Sequence, residues 1–167
     1  MLSPVCFTGF ESVKGEVELI QSMSDPFEIH RGEIPTAYRD ILEKRSFGHL
    51  ATNSPSGWPQ NSPVWVDHEE GRYVLANTLA GRRKERNLRR DPRTAISVID
   101  PDDPYRYLVV RGKVTLTEDG ASEHIDLLAR KYLDVDEYPH HDEEDESRVI
   151  IRIPAERVIA RGRSEED

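Results

Sequence analysis

From residue 35 onward the alternation of apolar and polar positions becomes regular enough to predict elements. Pro35, at a first-turn position, precedes Tyr38, Ile41 and Leu42 at helical spacing among charged neighbours, which predicts a helix over about 35–45. Residues 47–53 and 60–67 are apolar or β-branched runs separated by Ser54-Pro55-Ser56-Gly57, turn chemistry that predicts a hairpin. Glu69-Glu70-Gly71 then turns the chain into a third strand at 72–77. The period changes next. Arg82 to Arg90 predicts a short helix with Leu88 as its apolar contact, Thr78 as candidate cap, Gly81 loosening the entry and Asp91-Pro92 as the stop. Strands are expected at 93–100 and 107–117, the second long and alternating, with Gly112 marking a bulge or bend. Residues 117–133 predict an amphipathic helix carrying Ile125, Leu128 and Tyr132 on one face, and 149–153 and 157–159 predict two closing strands.

Short strands in sequence with few crossovers point to a mainly β fold with short helices, an antiparallel barrel rather than a parallel α/β sheet. Residues 1–32 carry no sustained period and are expected to be an N-terminal extension outside the core fold, with one domain over 33–167. Met23-Ser24-Asp25-Pro26 reads like a protein start, so residues 1–22 are expected to be dispensable. A chain of 167 residues buries roughly 70% of its unfolded surface, enough for a core without a disulfide or metal staple. Its single cysteine, Cys6, cannot form an internal bridge. No apolar run approaches the roughly 18 residues of a membrane span and no signal-peptide pattern is visible, so a cytoplasmic protein away from the membrane is expected.

Charge changes this picture at one place. The formal charge is -9, which disfavours nucleic acid as a partner. Yet residues 82–93 hold seven basic side chains against Glu85 and Asp91, a local +5 that leaves -14 on the other 155 residues. Residues 134–147, in contrast, carry eight acids and no Lys or Arg. A strand running through Thr78 and Gly81 into a helix that opens with Arg82, Arg83 and Lys84 is suited to an anion, because free N–H groups and the positive dipole end add to the side-chain charges. A solvated helix face that balances an acidic surface is the plainer reading of the same residues.

Arg82, Lys84, Arg86, Asn87, Leu88, Asp91, Pro92 and Arg93 resemble the signature of the split β-barrel flavin and deazaflavin oxidoreductases, the pyridoxamine 5'-phosphate oxidase superfamily, and more closely its coenzyme F420-dependent branch. Supporting matches are Phe47 to Thr52, Pro59 to Trp65 and Asp102 to Gly112, and the resemblance spans about 34–162. It implies an FMN-binding type of split barrel forming a homodimer, with the cofactor at the subunit interface and a small-molecule substrate. Arg82, Lys84 and Arg86 would hold the phosphate beside Asn87, and Thr78 would lie near that end. The ring would lie against Asn61, Ser62, Pro63 and Val64, with Tyr105 and Tyr107 approaching from the same or the partner chain. F420 is the expected cofactor and FMN the alternative, and a protein that only binds F420 would carry the same residues. A deazaflavin transfers hydride by its own ring, so no catalytic triad is needed and none is visible.

The remaining candidates have bland readings. His140 and His141 sit among carboxylates but lack metal-ligand spacing, and no metal is expected. His49 is expected to be a hydrogen-bonded barrel histidine, Trp58 and Trp65 to be core or interface anchors, and Asp102 and Asp103 to cap a turn.

Overall fold

The computed structural model describes residues 27–141 and 147–162; the expectations for residues 1–22, for Cys6 and for the acids at 142–146 lie outside them. Alternation of buried and exposed side chains builds two antiparallel sheets. The larger contains β1 (Phe27–His30), β2 (Phe47–Asn53), β3 (Pro59–Trp65), β6 (Arg93–Ile99), β7 (Tyr107–Lys113) and β10 (Arg157–Arg161), in the order β1-β10-β7-β6-β2-β3. The smaller contains β4 (Asp67–Glu69), β5 (Tyr73–Leu79), β8 (Thr115–Thr117) and β9 (Arg148–Pro154), in the order β4-β5-β9-β8. Helices α1 (Thr36–Glu43), α2 (Arg83–Arg90) and α3 (Ala121–Leu133) complete the described elements. The fold is a mainly β split barrel with short helices.

Two runs expected to be single strands each divide between the sheets. The chain leaves β3 at Trp65, buries Val66 completely and enters β4; it leaves β7 at Lys113, buries Val114 and enters β8. These are the corners where strands switch sheets. The apolar pattern runs straight through them because the corner valines are themselves core residues. Gly112 sits at the second corner, where an added Cβ would stand 2.3 Å from the carbonyl oxygen of Pro154, so only glycine lets β7 pass that close to β9.

The core lies between the sheets. Leu50, Ile96, Val98, Leu108, Val110 and Val158 point into it from the larger sheet, and Val74, Ala76, Ile151 and Ile153 from the smaller. Tyr38, Ile41 and Leu42 of α1 bury the expected face, with Pro35 as the N-cap rather than a first-turn residue. Each such large apolar side chain contributes roughly 1.5–3 kcal/mol when fully buried. Helix α3 begins at Ala121, four residues later than the pattern suggested, because Gly120 adopts φ +70° as its N-cap. Strand β1 had no sequence signal. It is largely exposed and pairs with β10 from Phe27↔Arg161 to His30↔Val158, so its conformation comes from the edge it docks on, within residues expected to lie outside the fold.

Candidate functional site

Helix α2 is set by side chains that its charge pattern conceals. Thr78 does not cap it. That residue is buried within β5, and the N-cap is Arg82, without a side-chain cap. Instead Glu85, 2% exposed, reaches back to accept the Gly81 N–H at 3.0 Å and also accepts from Arg89. Gly81 holds φ +74°, a left-handed turn between β5 and the helix. On the opposite side Asn87, 3% exposed, donates to Thr52 Oγ1 at 3.0 Å and Gln60 Oε1 at 3.1 Å, and Leu88 is fully buried. The helix is therefore pinned to the β2–β3 hairpin, with its cations held in place.

Around this helix the expected site residues separate. A cavity of about 230 Å³ brings together Pro63, Val64, Arg82 and Lys84. Its other walls are Phe47, Trp65, Asn77 and Tyr138, with Arg148 and two apolar residues of α3. Lys84 is half-buried; burial first, and the neighbouring Arg82 charge second, push its pKa below the ordinary lysine value. Neither Lys84 nor Arg82 has a carboxylate partner among the described residues. Arg86 and Asn87 line a different groove, on the hairpin side of α2. Asn61 is exposed on the outer face of β3, paired in register with Ala51, while the Ser62 Oγ is buried without a hydrogen-bond partner. Thr78 Oγ1 is likewise buried and unpartnered. Tyr105 is 74% exposed on the loop after β6, and Tyr107 lies on the outer face opposite Ile99 and Arg161; neither lines this cavity.

Several cavity residues were given no part in the cofactor site by the sequence reading, which made Trp65 only a core or interface anchor. Phe47 and Trp65 are cross-strand partners on the outward face of the hairpin, a relation that alternation along the two strands could have exposed. Trp65 stacks on Tyr132 with ring centroids 5.0 Å apart and meets Tyr138 edge-on at 6.3 Å. Tyr138 lies under the Arg148 guanidinium at 4.5 Å, and Arg148 donates to Asn77 Oδ1 at 3.3 Å. Asn77 in turn donates to Ala121 O at 2.8 Å and lies 3.3 Å from His124 Nδ1. His124 is buried, and desolvation lowers its pKa against the opposing pull of Asp67. These partners come from segments far apart in sequence, which no local pattern connects.

Other expectations are corrected. Trp58 is no core anchor: it is 77% exposed on the hairpin. His49 is exposed on the outer face, and its side chain makes no hydrogen bond among the described residues. His141 is not simply solvated, since its Nε2 pairs with Asp126 at 2.7 Å. Asp103 accepts the Tyr105 N–H at 2.9 Å, while the anchor of that loop is buried Asp100, which receives Lys44 and Arg106. Among the described residues no three His, Cys, Asp or Glu side chains converge as a metal would require, and no helix is long and apolar enough to cross a membrane.

Known proteins share this fold. A solved F420 reductase is 38% identical, with 72% of this chain and 94% of that one aligned at a TM-score of 0.63. A conserved hypothetical protein from Mycobacterium tuberculosis is 25% identical over 81% of this chain and 90% of its own, with a TM-score of 0.61. An FAD-binding protein from Mesorhizobium loti, at 19% identity, 81% and 96% coverage and a TM-score of 0.55, shares the fold. The family model described as pyridoxamine 5'-phosphate oxidase matches residues 34–162, from the last residues before α1 to the end of β10. The chain belongs to the pyridoxamine 5'-phosphate oxidase family.

Proposed function

We propose that the protein is a homodimeric F420-dependent oxidoreductase acting on a small molecule, with the cofactor phosphate held by Lys84 and Arg82. The observation that carries this reading is a half-buried lysine beside an arginine, neither with a carboxylate partner among the described residues, in a cavity whose other walls include Pro63, Val64, three aromatic rings, Asn77 and Arg148. Such a pair is stabilised by an anion, and the rings and Pro63 offer a flat apolar surface to a fused ring system. The unpartnered hydroxyls of Ser62 and Thr78 are spare hydrogen-bonding capacity on the adjoining strands. When bound, F420 supplies a hydride from its own ring. The chain's part is to grip the anionic end, orient the ring against β3 and exclude water. The 38% identical F420 reductase favours the deazaflavin over FMN.

The cavity volume supports the dimer. At about 230 Å³ it falls below the roughly 300–1,000 Å³ usual for small-molecule sites, in keeping with a site whose remaining walls would come from a second copy. Its Phe47, Pro63 and Trp65 belong to the outer face of the larger sheet, where exposed Ile29 and Ile99 also lie. A second copy on that face would complete the site, and the exposed Tyr105 is a suitable contribution across it.

Titration of the purified full chain with F420 and with FMN tests the reading, followed by anaerobic turnover of reduced F420 with a panel of enones and quinones. Preferential F420 binding and oxidation by at least one acceptor are expected. Binding of FMN alone would replace the cofactor assignment, and F420 binding without turnover would make the protein a carrier.

A further inference from the structure

The second groove beside α2 is a site in its own right. Arg83, Arg86 and Arg90 lie on one helix face at i, i+3 and i+7, with Asn87 between them. Facing them across the groove is the 54–60 turn, which presents Trp58 between Pro55 and Pro59. The space enclosed is about 590 Å³, within the size range of small-molecule sites. Three features set it apart from a charged surface. Its walls are tied together: Asn87 bonds Gln60 and Thr52 at the floor, and Arg90 donates to Asn53 O at 2.6 Å. Its lining holds three arginines and no carboxylate, in a chain with 32 acids, and Arg83 and Arg86 have no partner among the described residues. Its one large aromatic side chain, Trp58, is 77% exposed, while Gln60 and Asn87 in the same groove are held by their hydrogen bond to each other.

We infer that this groove binds an aromatic ring bearing a phosphate or carboxylate, of nucleoside monophosphate size, with the ring on Trp58 and the anion between Arg83 and Arg86. An indole face offers stacking to a flat ring, and guanidinium forks offer paired donors to the anionic group. The net charge of -9 limits the ligand to an anion small enough to stay inside the basic groove, since a long polyanion would meet the acidic remainder of the surface. The site is separate from the cavity of Lys84 and Arg82, which opens on another side of the same helix.

The chain has two tryptophans, so Trp65→Phe leaves Trp58 as the sole fluorescent reporter. AMP is expected to quench its emission saturably, while inorganic phosphate, which lacks the ring, quenches little. Arg86→Ala should weaken AMP binding about tenfold or more. Trp58→Ala, followed by calorimetry in the otherwise native chain, should weaken it by a similar factor. Lys84→Ala should leave AMP affinity at this groove unchanged, which separates the groove from the cofactor cavity. Absence of saturable quenching would overturn the inference, as would competition by a glutamate tripeptide at equal concentration. So would Trp58 emission already blue-shifted in the free protein, which would make the groove an interface between copies.

Discussion

At the scale of single residues, Lys84 and Glu85 are neighbours with opposite assignments. Replacing Lys84 by Ala removes a charge-assisted contact to the proposed phosphate and should weaken F420 binding by roughly tenfold to more than a hundredfold, or about 1.5–3 kcal/mol. Thermal stability should change by no more than about 0.5 kcal/mol, because the lysine has no partner to lose. Its pH dependence follows from the depressed pKa. The phosphate binds the protonated amine, so affinity should hold steady at neutral pH and decline as pH rises through that pKa, beginning below the usual lysine value of about 10.4. Lys84→Arg keeps the charge and should abolish the decline; an unaltered alkaline limb in that variant would refute the phosphate assignment. Glu85→Ala should behave the other way. It strips the acceptor from the Gly81 N–H and from Arg89, costing about 1–3 kcal/mol in a melting experiment. The sequence, through the family resemblance, marks Lys84 as a phosphate ligand but leaves Glu85 as one member of a charged run. Burial is what distinguishes them, and burial depends on which face of α2 the barrel covers.

At the scale of elements, strand β2 was legible to its ends as an apolar run stopped by the Ser54 to Gly57 turn, which fixed the hairpin beside it, although its burial alternates in a way the residue types do not. The corners at Val66 and Val114 were not legible, since an apolar residue at a corner continues the pattern of an unbroken strand. Likewise the floor of the site was half visible: Pro63, Val64, Arg82 and Lys84 lie on the hairpin and helix that carry the family-like motifs. The walls from Tyr138 and Arg148 depend on how α3 and β9 return to the barrel. Helix α3 is fastened by Lys131, whose Nζ donates to the carbonyls of Leu42 and Val66, and by the Tyr132 hydroxyl, which donates to Ser46 O. Burial lowers the Lys131 pKa to about 8, against the pull of Asp67 and Glu43. Between pH 8 and roughly 10.4 the unfolded chain keeps a proton that the native chain has released, so this residue makes stability rise with pH across that window. Burial raises Tyr132 to about 12, so between roughly 10 and 12 the native chain keeps the proton and stability falls. Denaturant titrations of the native chain against Lys131→Met should show the first slope lost and the second retained. Equal slopes below pH 10 would mean that the amine is solvated in solution.

At the scale of the whole molecule, the larger sheet covers the core with one face, and among the described residues much of the other face is exposed, with Tyr132 of α3 packed against its Phe47 and Trp65 end. In register across that outer face run Phe27, Arg161, Tyr107 and Ile99, then Phe47 opposite Trp65; the next row runs Ile29, Ile159, Val109 and Ser97, then His49 opposite Pro63. Phe27, Ile29, Phe47 and Ile99 are each more than a third exposed. So many exposed large apolar side chains on one face, interrupted by Arg161, Ser97 and His49, are unusual on a monomer. A stable contact between copies buries about 1,200–2,000 Å² in total, and a six-stranded face is broad enough to supply it. Ile29 and Ile99 lie on that face but outside the cavity, so they separate assembly from direct cofactor contact. Introducing Ile99→Glu together with Ile29→Glu would bury two charges at a mated face but leaves them solvated on a free protomer, so folding should survive while association fails. Sedimentation equilibrium should find the native chain dimeric and the double variant monomeric at micromolar concentration. F420 affinity should fall with dissociation although Lys84, Arg82 and Pro63 are untouched, because the small cavity of a lone protomer no longer encloses the ring. If the variant is monomeric and binds F420 as the native chain does, the site is complete within one protomer and the exposed face has another purpose.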